Sequence, residues 1–388
     1  MSDHTRRDLL RVGAIGAGAL LAGCTGNSST ETADAGDDST ATPTEETATP
    51  TPEDTSYSVE MAPVGSVEFE EPPQKVAHYF PGYADMAVAL GHGDTVTSVG
   101  LPSRYHVDAY EELPGVSVDK ESLTALIGDS GIDKEIFYEL DSDLHMIDPV
   151  WLTQNSFFGL EQKDIEELTQ NVAPFLGNTI FRRTDSWHDY RYYTLYEAFE
   201  KVAQVHQEQE KYRQFKRLHD AFLADVQTKL PSADQRPNGL LLFAASNEPE
   251  AFYPYRLSDK GTNKKQFHDL GITDALAGTG IEGLSTSDRG QIDYETILQV
   301  DPDSILLRGH ETQTEQEFQD TVVAFMKEHP TAKELTAVKN DQVFRGGPIY
   351  AGPIHNLFLT ERFATNYFPD SFEGELFDRD ELAGIITG

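Results

Sequence analysis

Basic side chains are scarce in this 388-residue chain, 30 against 66 acidic ones, which makes the segment FRRTDSWHDYRYY at 181–193 informative. It gathers Arg182, Arg183 and Arg191 with Trp187 and three tyrosines. Guanidinium groups beside aromatic faces offer positive charge and flat apolar area together, the chemistry that holds an anionic organic molecule. Ordinary uses compete for the same residues: Tyr192, Tyr193 and Tyr196 can be core of the helix that follows, and Arg182 and Arg183 can pair with surface acids.

Patterns for making and breaking bonds are weak. GDSG at 128–131 resembles the nucleophile region of trypsin-like proteases, but Ile132 follows it and the rest of the chain reads as α/β. GTGIEG at 278–283 has dinucleotide-loop spacing, yet no strand feeds it. GxSxG and phosphate-loop patterns are absent from the sequence. The 12 histidines show no HExxH or paired spacing, and Cys24 is the only cysteine. A protein-built metal site, a resident cofactor, a disulfide framework and an enzyme are therefore not expected.

The elements that must position the arginines alternate. KVAHYF (75–80) reads as a strand and PGYADMAVALG as the helix after it; TVTSVGLPS (95–103) is the next strand with its loop. EQKDIEELTQNV reads as a helix and NTIFRR (178–183) as a strand. GLLLFAA (239–245), SILLRG, QVFRGG and the helices between them repeat the style in the second half. One phrase occurs twice: IDKEIFYELDSDLHMI from Ile132 and IDYETILQVDPDSILL from Ile292, 160 positions apart. Between the halves, apolar residues from Leu195 to Leu230 fall at steps of three or four with one gap, which predicts two helices, the second over 207–230. The fold class expected is α/β: two Rossmann-like lobes with mainly parallel sheets, 57–206 and 231–388, joined by one long bridging α-helix.

Ligands in open α/β sheets sit beyond the carboxyl ends of the strands. The loops there supply the candidate ligand-binding residues: Tyr83, Arg104, Tyr105, Trp151, Arg182, Arg183 and Trp187 from the first lobe, then Tyr253, Arg256, Arg289, Arg308 and Tyr350 from the second.

The formal charge of −36 is spread along the whole chain. Such a surface repels nucleic acid and anionic headgroups, and its evenness fits a salt-loving source. Residues 1–24 have a short basic region, an apolar run from Val12 to Ala22 and small residues before Cys24. That is an export signal, too short to span a bilayer. Arg6-Arg7 resembles a twin-arginine signal and LAGC (21–24) resembles the lipobox whose cysteine is acylated. Residues 25–56, acidic and rich in Thr and Pro, read as a disordered tether.

Taken in order, the lipoprotein signal, PPQKVAHYFPGYADMAVALG, the phrase at Ile132, the bridging helix, its second copy at Ile292 and PIHNLFLTERFATNYFPDSF resemble the ABC-transporter solute-binding proteins of the helical-backbone type. The likeness runs from about Pro72 to Phe372. That resemblance implies an exported, monomeric, lipid-anchored protein on the outer face of the cytoplasmic membrane. It would bind a ferric siderophore or similar chelate, with haem or cobalamin as alternatives, and deliver it to a permease driven by an ATPase. It also implies that Glu135 and Glu295, at the start of the repeated helix in each lobe, dock on the permease; a first-turn carboxylate gains from the helix dipole and stays exposed. Two rival classes are a metallocluster-binding two-lobed enzyme, which would need cysteines, and a structural surface lipoprotein, whose cleft would lack the Arg and aromatic lining.

Overall fold

A computed structural model describes residues 56–388. Arg6, Arg7, Cys24 and the tether residues 25–55 lie outside the described residues.

The first element among the described residues is a hairpin that the sequence reading did not anticipate. Strands β1 (Tyr57–Met61) and β2 (Gly65–Phe69) pair antiparallel, with Val59, Met61, Val67 and Phe69 turned inward at the period of two that a half-buried strand requires. Tyr57 Oη donates to Val205 O at 2.5 Å and fastens the hairpin to the helix Leu195–Val205.

Strands β3 (Val76–His78), β4 (Val96–Val99), β5 (Thr124–Ala125) and β6 (Leu144–Met146) form a parallel sheet in the order β5-β4-β3-β6. A second sheet contains β7 (Asn238–Phe243), β8 (Tyr253–Tyr255), β9 (Thr273–Asp274), β10 (Ser304–Arg308) and β11 (Val343–Arg345), in the order β11-β10-β7-β8 with β9 also on β7. Only β8 runs antiparallel. Leu240, Leu241 and Leu242 of β7 and all five residues of β10 are buried, as strands covered on both faces must be. The described residues therefore form an α/β protein with two mainly parallel sheets and a separate antiparallel hairpin.

The helix between the sheets spans Gln209–Lys229, about 31 Å at 1.5 Å per residue. It buries Tyr212, Phe215, Leu218, Phe222 and Val226, one stripe at steps of three and four. The preceding helix starts with a capping box in which Thr194 and Glu197 satisfy each other's backbone N–H groups.

The repeated phrase does the same mechanical work twice. Asp141 and Asp301 close their helices in the left-handed region, at φ 46° and 43°; a short polar side chain tolerates that conformation far better than a branched one. Two residues on, Asp143 Oδ2 accepts from Gln74 N and Lys75 N at 2.9 Å, and Asp303 Oδ2 accepts from Asn238 N at 2.9 Å. Each Asp-x-Asp thus stops a helix and clamps the start of the neighbouring strand, β3 in one sheet and β7 in the other.

One expected strand is absent. Residues 178–183 form no ladder; the parallel bridge falls earlier, at Phe175 opposite His145. The backbone of 178–183 is used elsewhere: Ile180 O accepts from Thr262 N at 2.9 Å and Phe181 O from Asn263 N at 3.4 Å.

Candidate functional site

Between the two sheets lies a cavity of about 540 Å³. Much of its wall is made by segments that leave the carboxyl ends of strands, and Phe243 of β7 with Tyr253 and Tyr255 of β8 complete it. Tyr79 follows β3, Leu101 and Arg104 follow β4, Trp151 sits on the short helix Pro149–Gln154 after β6, and Ile349 and Tyr350 follow β11. Nine of its 18 lining residues are aromatic, and its only charged ones are Arg104, Arg182 and Arg289. No acid lines it, in a chain where acids outnumber bases 66 to 30.

The aromatic wall is self-supporting. Trp151 meets Phe181 edge-on at 5.5 Å and Tyr79 at 5.9 Å, and Phe80 packs against Trp151, Phe181 and Tyr350 within 5.5 Å. Such edge-to-face pairs hold rings in one orientation and add to their burial energy. Burial pushes the Tyr79 hydroxyl well above its ordinary range, so it remains a neutral phenol.

The three arginines differ in how they are held. The Arg182 guanidinium stands 5.4 Å from the Trp151 ring and 5.3 Å from Phe181, and Asp185 takes its Nε at 2.9 Å. Arg104 and Arg289 are exposed and have no ion pair among the described residues. One comes from the loop after β4 and the other from the segment between β9 and β10, so both halves of the fold present a free positive charge.

A strap crosses beside the cavity. Asp185 also accepts from Thr286 N at 2.5 Å and Thr286 Oγ1 at 2.7 Å, Thr184 Oγ1 donates to Leu284 O at 2.9 Å, and Trp187 Nε1 donates to Thr286 Oγ1 at 3.2 Å. Residues 182–187 are in this way tied to 284–286.

Of the residues singled out from sequence, the structure brings together Arg104, Trp151, Arg182, Tyr253, Arg289 and Tyr350 in this one lining. Trp187 supports it from behind, 6.2 Å from Trp151. Arg308 lines an adjoining pocket of about 240 Å³ that shares Arg104, Phe243 and Ile349 with the main cavity. Its buried guanidinium lies over Tyr255, and burial lowers it to about 10.

Four assignments are corrected. Tyr83 is core: its hydroxyl donates to Asn178 O at 2.9 Å, with 1% of the residue exposed. Tyr105 is wholly buried and hydrogen-bonded to Tyr110, whose hydroxyl donates to Asp85 Oδ1 at 2.7 Å. Asp85 Oδ2 in turn accepts from Ile354 N at 2.9 Å, capping the helix Pro353–Tyr367 and tying it to the helix Pro81–Ala89. Arg183 is spent on Tyr190 O and lies over the Tyr190 ring. Arg256 faces Asp274 and Glu282 at 3.7 and 3.8 Å. Neither lines the cavity. Sequence reading missed Tyr79, Phe157, Phe158, Phe181 and Phe243. The doublet Phe157-Phe158, apolar in a polar stretch without helical period, was the available signal.

The first repeated Glu, Glu135, is exposed in the first turn of the helix Glu135–Leu140, and the second, Glu295, is exposed in the first turn of Tyr294–Val300.

Two parallel-sheet halves around a cleft, with a rod between them, define a solute-binding architecture. The periplasmic binding protein family model matches residues 76–350. The chain belongs to the periplasmic binding protein family, and is a binder of solutes, not an enzyme. Among solved structures it is similar to the iron uptake ABC transporter substrate-binding protein PiuA from Streptococcus pneumoniae, at 16% identity over 78% of this chain and 96% of that one, with TM-score 0.54. It is also similar to the petrobactin-binding protein YclQ from Bacillus subtilis (16% identity, 86% and 99%, TM-score 0.52). A third is the siderophore binding protein BauB, bound to a complex of two acinetobactin molecules and ferric iron (18% identity, 80% and 98%, TM-score 0.54). At such identities these likenesses establish the fold. No curated protein matches the sequence.

Proposed function

We propose that this chain captures a ferric siderophore, or a similar anionic iron chelate, in the cleft between its sheets and hands it to the permease of an ABC importer. The observation that carries the reading is the composition of the lining: three arginines, nine aromatic residues and no acid, inside a protein of formal charge −36. A cavity free of carboxylates, with exposed Arg104 and Arg289 on either side, attracts an anion that the rest of the surface repels. Aromatic rings cover the organic faces of the chelator. No group of three or more His, Cys, Asp or Glu among the described residues is placed to hold a metal ion. The naming of YclQ for petrobactin and the acinetobactin-iron complex in BauB agree with the same ligand class.

In this reading the exported protein is a monomer held at the outer face of the cytoplasmic membrane by acylated Cys24, after passage on the Arg6-Arg7 signal. Among the described residues no helix is long and apolar enough to cross a membrane. The stiff helix Gln209–Lys229 limits capture to modest closure. Glu135 and Glu295 engage the permease, and an ATPase on the far side drives release. Mass spectrometry with metal analysis of the protein purified from its native membrane tests the ligand. The expected result is a siderophore with one or more equivalents of iron. A porphyrin, a corrinoid or a metal-free organic molecule would overturn the assignment.

A further inference from the structure

Among the described residues the large hydrophobic side chains that remain exposed are Val64, Tyr138, Phe157 and Leu298. Phe157 belongs to the cleft lining. Tyr138 and Leu298 occupy the same position in the two copies of the repeated phrase, 160 residues apart, and are 36% and 37% exposed. The match extends through the whole helix. From Glu135 to Leu140, and again from Glu295 to Val300, the order is exposed, half-buried, buried, exposed, exposed, half-buried. Tyr138 and Leu298 each stand three residues after the repeated Glu, so knob and carboxylate share one helical face.

The carboxylates are uncompensated. Glu135 has no side-chain partner among the described residues, and Glu295 accepts only a hydroxyl, Thr331 Oγ1 at 3.3 Å. Lys134, next to the first Glu, is committed to Glu167 at 2.8 Å and Asp164 at 3.4 Å. Tyr138 is steadied by its hydroxyl bond to Glu167 Oε1 at 2.9 Å, leaving the ring as a fixed knob.

We infer that each repeated helix is a compound foot, a carboxylate plus an apolar knob, and that Tyr138 and Leu298 seat in apolar sockets of the permease that Glu135 and Glu295 engage. This rests on the permease reading above and adds residues to it. The occupant fitting two equivalent feet is a partner with two equivalent surfaces, each pairing a cation with an apolar socket: the paired membrane-spanning subunits of a transporter. A second copy of this chain would bring carboxylate against carboxylate on a protein of charge −36, and an anionic lipid surface is repelled likewise. Apolar side chains that enter sockets at the centre of an interface carry much of its affinity, whereas the charges mainly steer and align.

A photo-crosslinker placed at the exposed neighbours Glu139 or Gln299, in the full chain in its native cells, tests this with products identified by mass spectrometry. With both feet intact, each position should link to a membrane-spanning transport subunit. Tyr138→Lys with Leu298→Lys should lower the yield roughly tenfold, equivalent to about 1.4 kcal/mol, with unchanged circular dichroism and melting temperature. Glu135→Gln with Glu295→Gln is the reference. A yield lowered by the Glu pair but not by the knob pair would sink this inference and leave the permease reading standing. No transport-subunit product from intact feet, or products only with a second copy or lipid, would overturn both.

Discussion

The cleft wall and the two repeated helices are opposites in charge and in support. The wall has three arginines, nine aromatic residues and no acid, with its rings packed on one another. The helices expose carboxylates and one large apolar side chain each. The difference teaches that one chain can leave opposite charges unpaired in separate places, and under the proposed function these serve separate steps: guanidinium for capture of the anion, carboxylate for delivery to the permease. Against a background of 66 acids, the acid-free lining is the exception that demands an explanation.

The sharpest way to break the contrast is mechanical. Trp151 is 5% exposed and touches Tyr79, Phe80, Phe158, Phe181 and Trp187. Trp151→Ala should cost about 3–5 kcal/mol of stability, the range for emptying a large aromatic site. Tyr138→Ala, on a foot, should cost less than about 1 kcal/mol. Denaturant titration of the two variants measures the difference, and equal costs would show that the wall is not a packed unit.

A smaller effect separates fold from site by pH. Burial lowers His78 to about 4 and His145 and His206 to about 3. The unfolded chain takes up these protons near pH 6.5 and the folded chain only near 3 to 4. This contribution to stability is therefore complete above about pH 6.5 and is lost progressively as pH falls towards 4. The midpoint of chemical denaturation should move down between pH 7 and 5. None of these three histidines lines the cleft, so under the proposed function affinity for a chelate whose own charge is constant should stay flat over the same interval.

Much of this architecture was legible. The bridging helix showed itself because Tyr212, Phe215, Leu218, Phe222 and Val226 keep a helical step over 21 residues. The doubled lobe showed itself through Asp141-Asp143 and Asp301-Asp303, whose side chains do backbone work that depends on residue type. What stayed hidden depends on partners distant in sequence. Arg104 and Tyr105 are adjacent, yet one faces the cleft and the other is buried against Tyr110, in a network that ends at the helix Pro353–Tyr367. A loop after a strand announces that a cleft is near, but its neighbouring residues turn opposite ways. Residues 178–183 look like a strand because Thr179, Ile180 and Phe181 are β-branched or aromatic, but the carbonyls of Ile180 and Phe181 serve the turn at Thr262. The hairpin of β1 and β2 was missed because its alternation is carried by few strongly apolar residues.

The central claim is that free guanidinium groups select the ligand. Quenching of tryptophan fluorescence by an anionic ferric tricatecholate and by the cationic ferrioxamine B, on the wild-type chain and on Arg104→Glu with Arg289→Glu, tests it directly. The account predicts that the wild type prefers the anion, and that the double variant binds it roughly a hundredfold more weakly, about 2.7 kcal/mol, without a comparable loss for the cation. Equal affinity for the two chelates, or an anion affinity that survives both charge reversals, would contradict it.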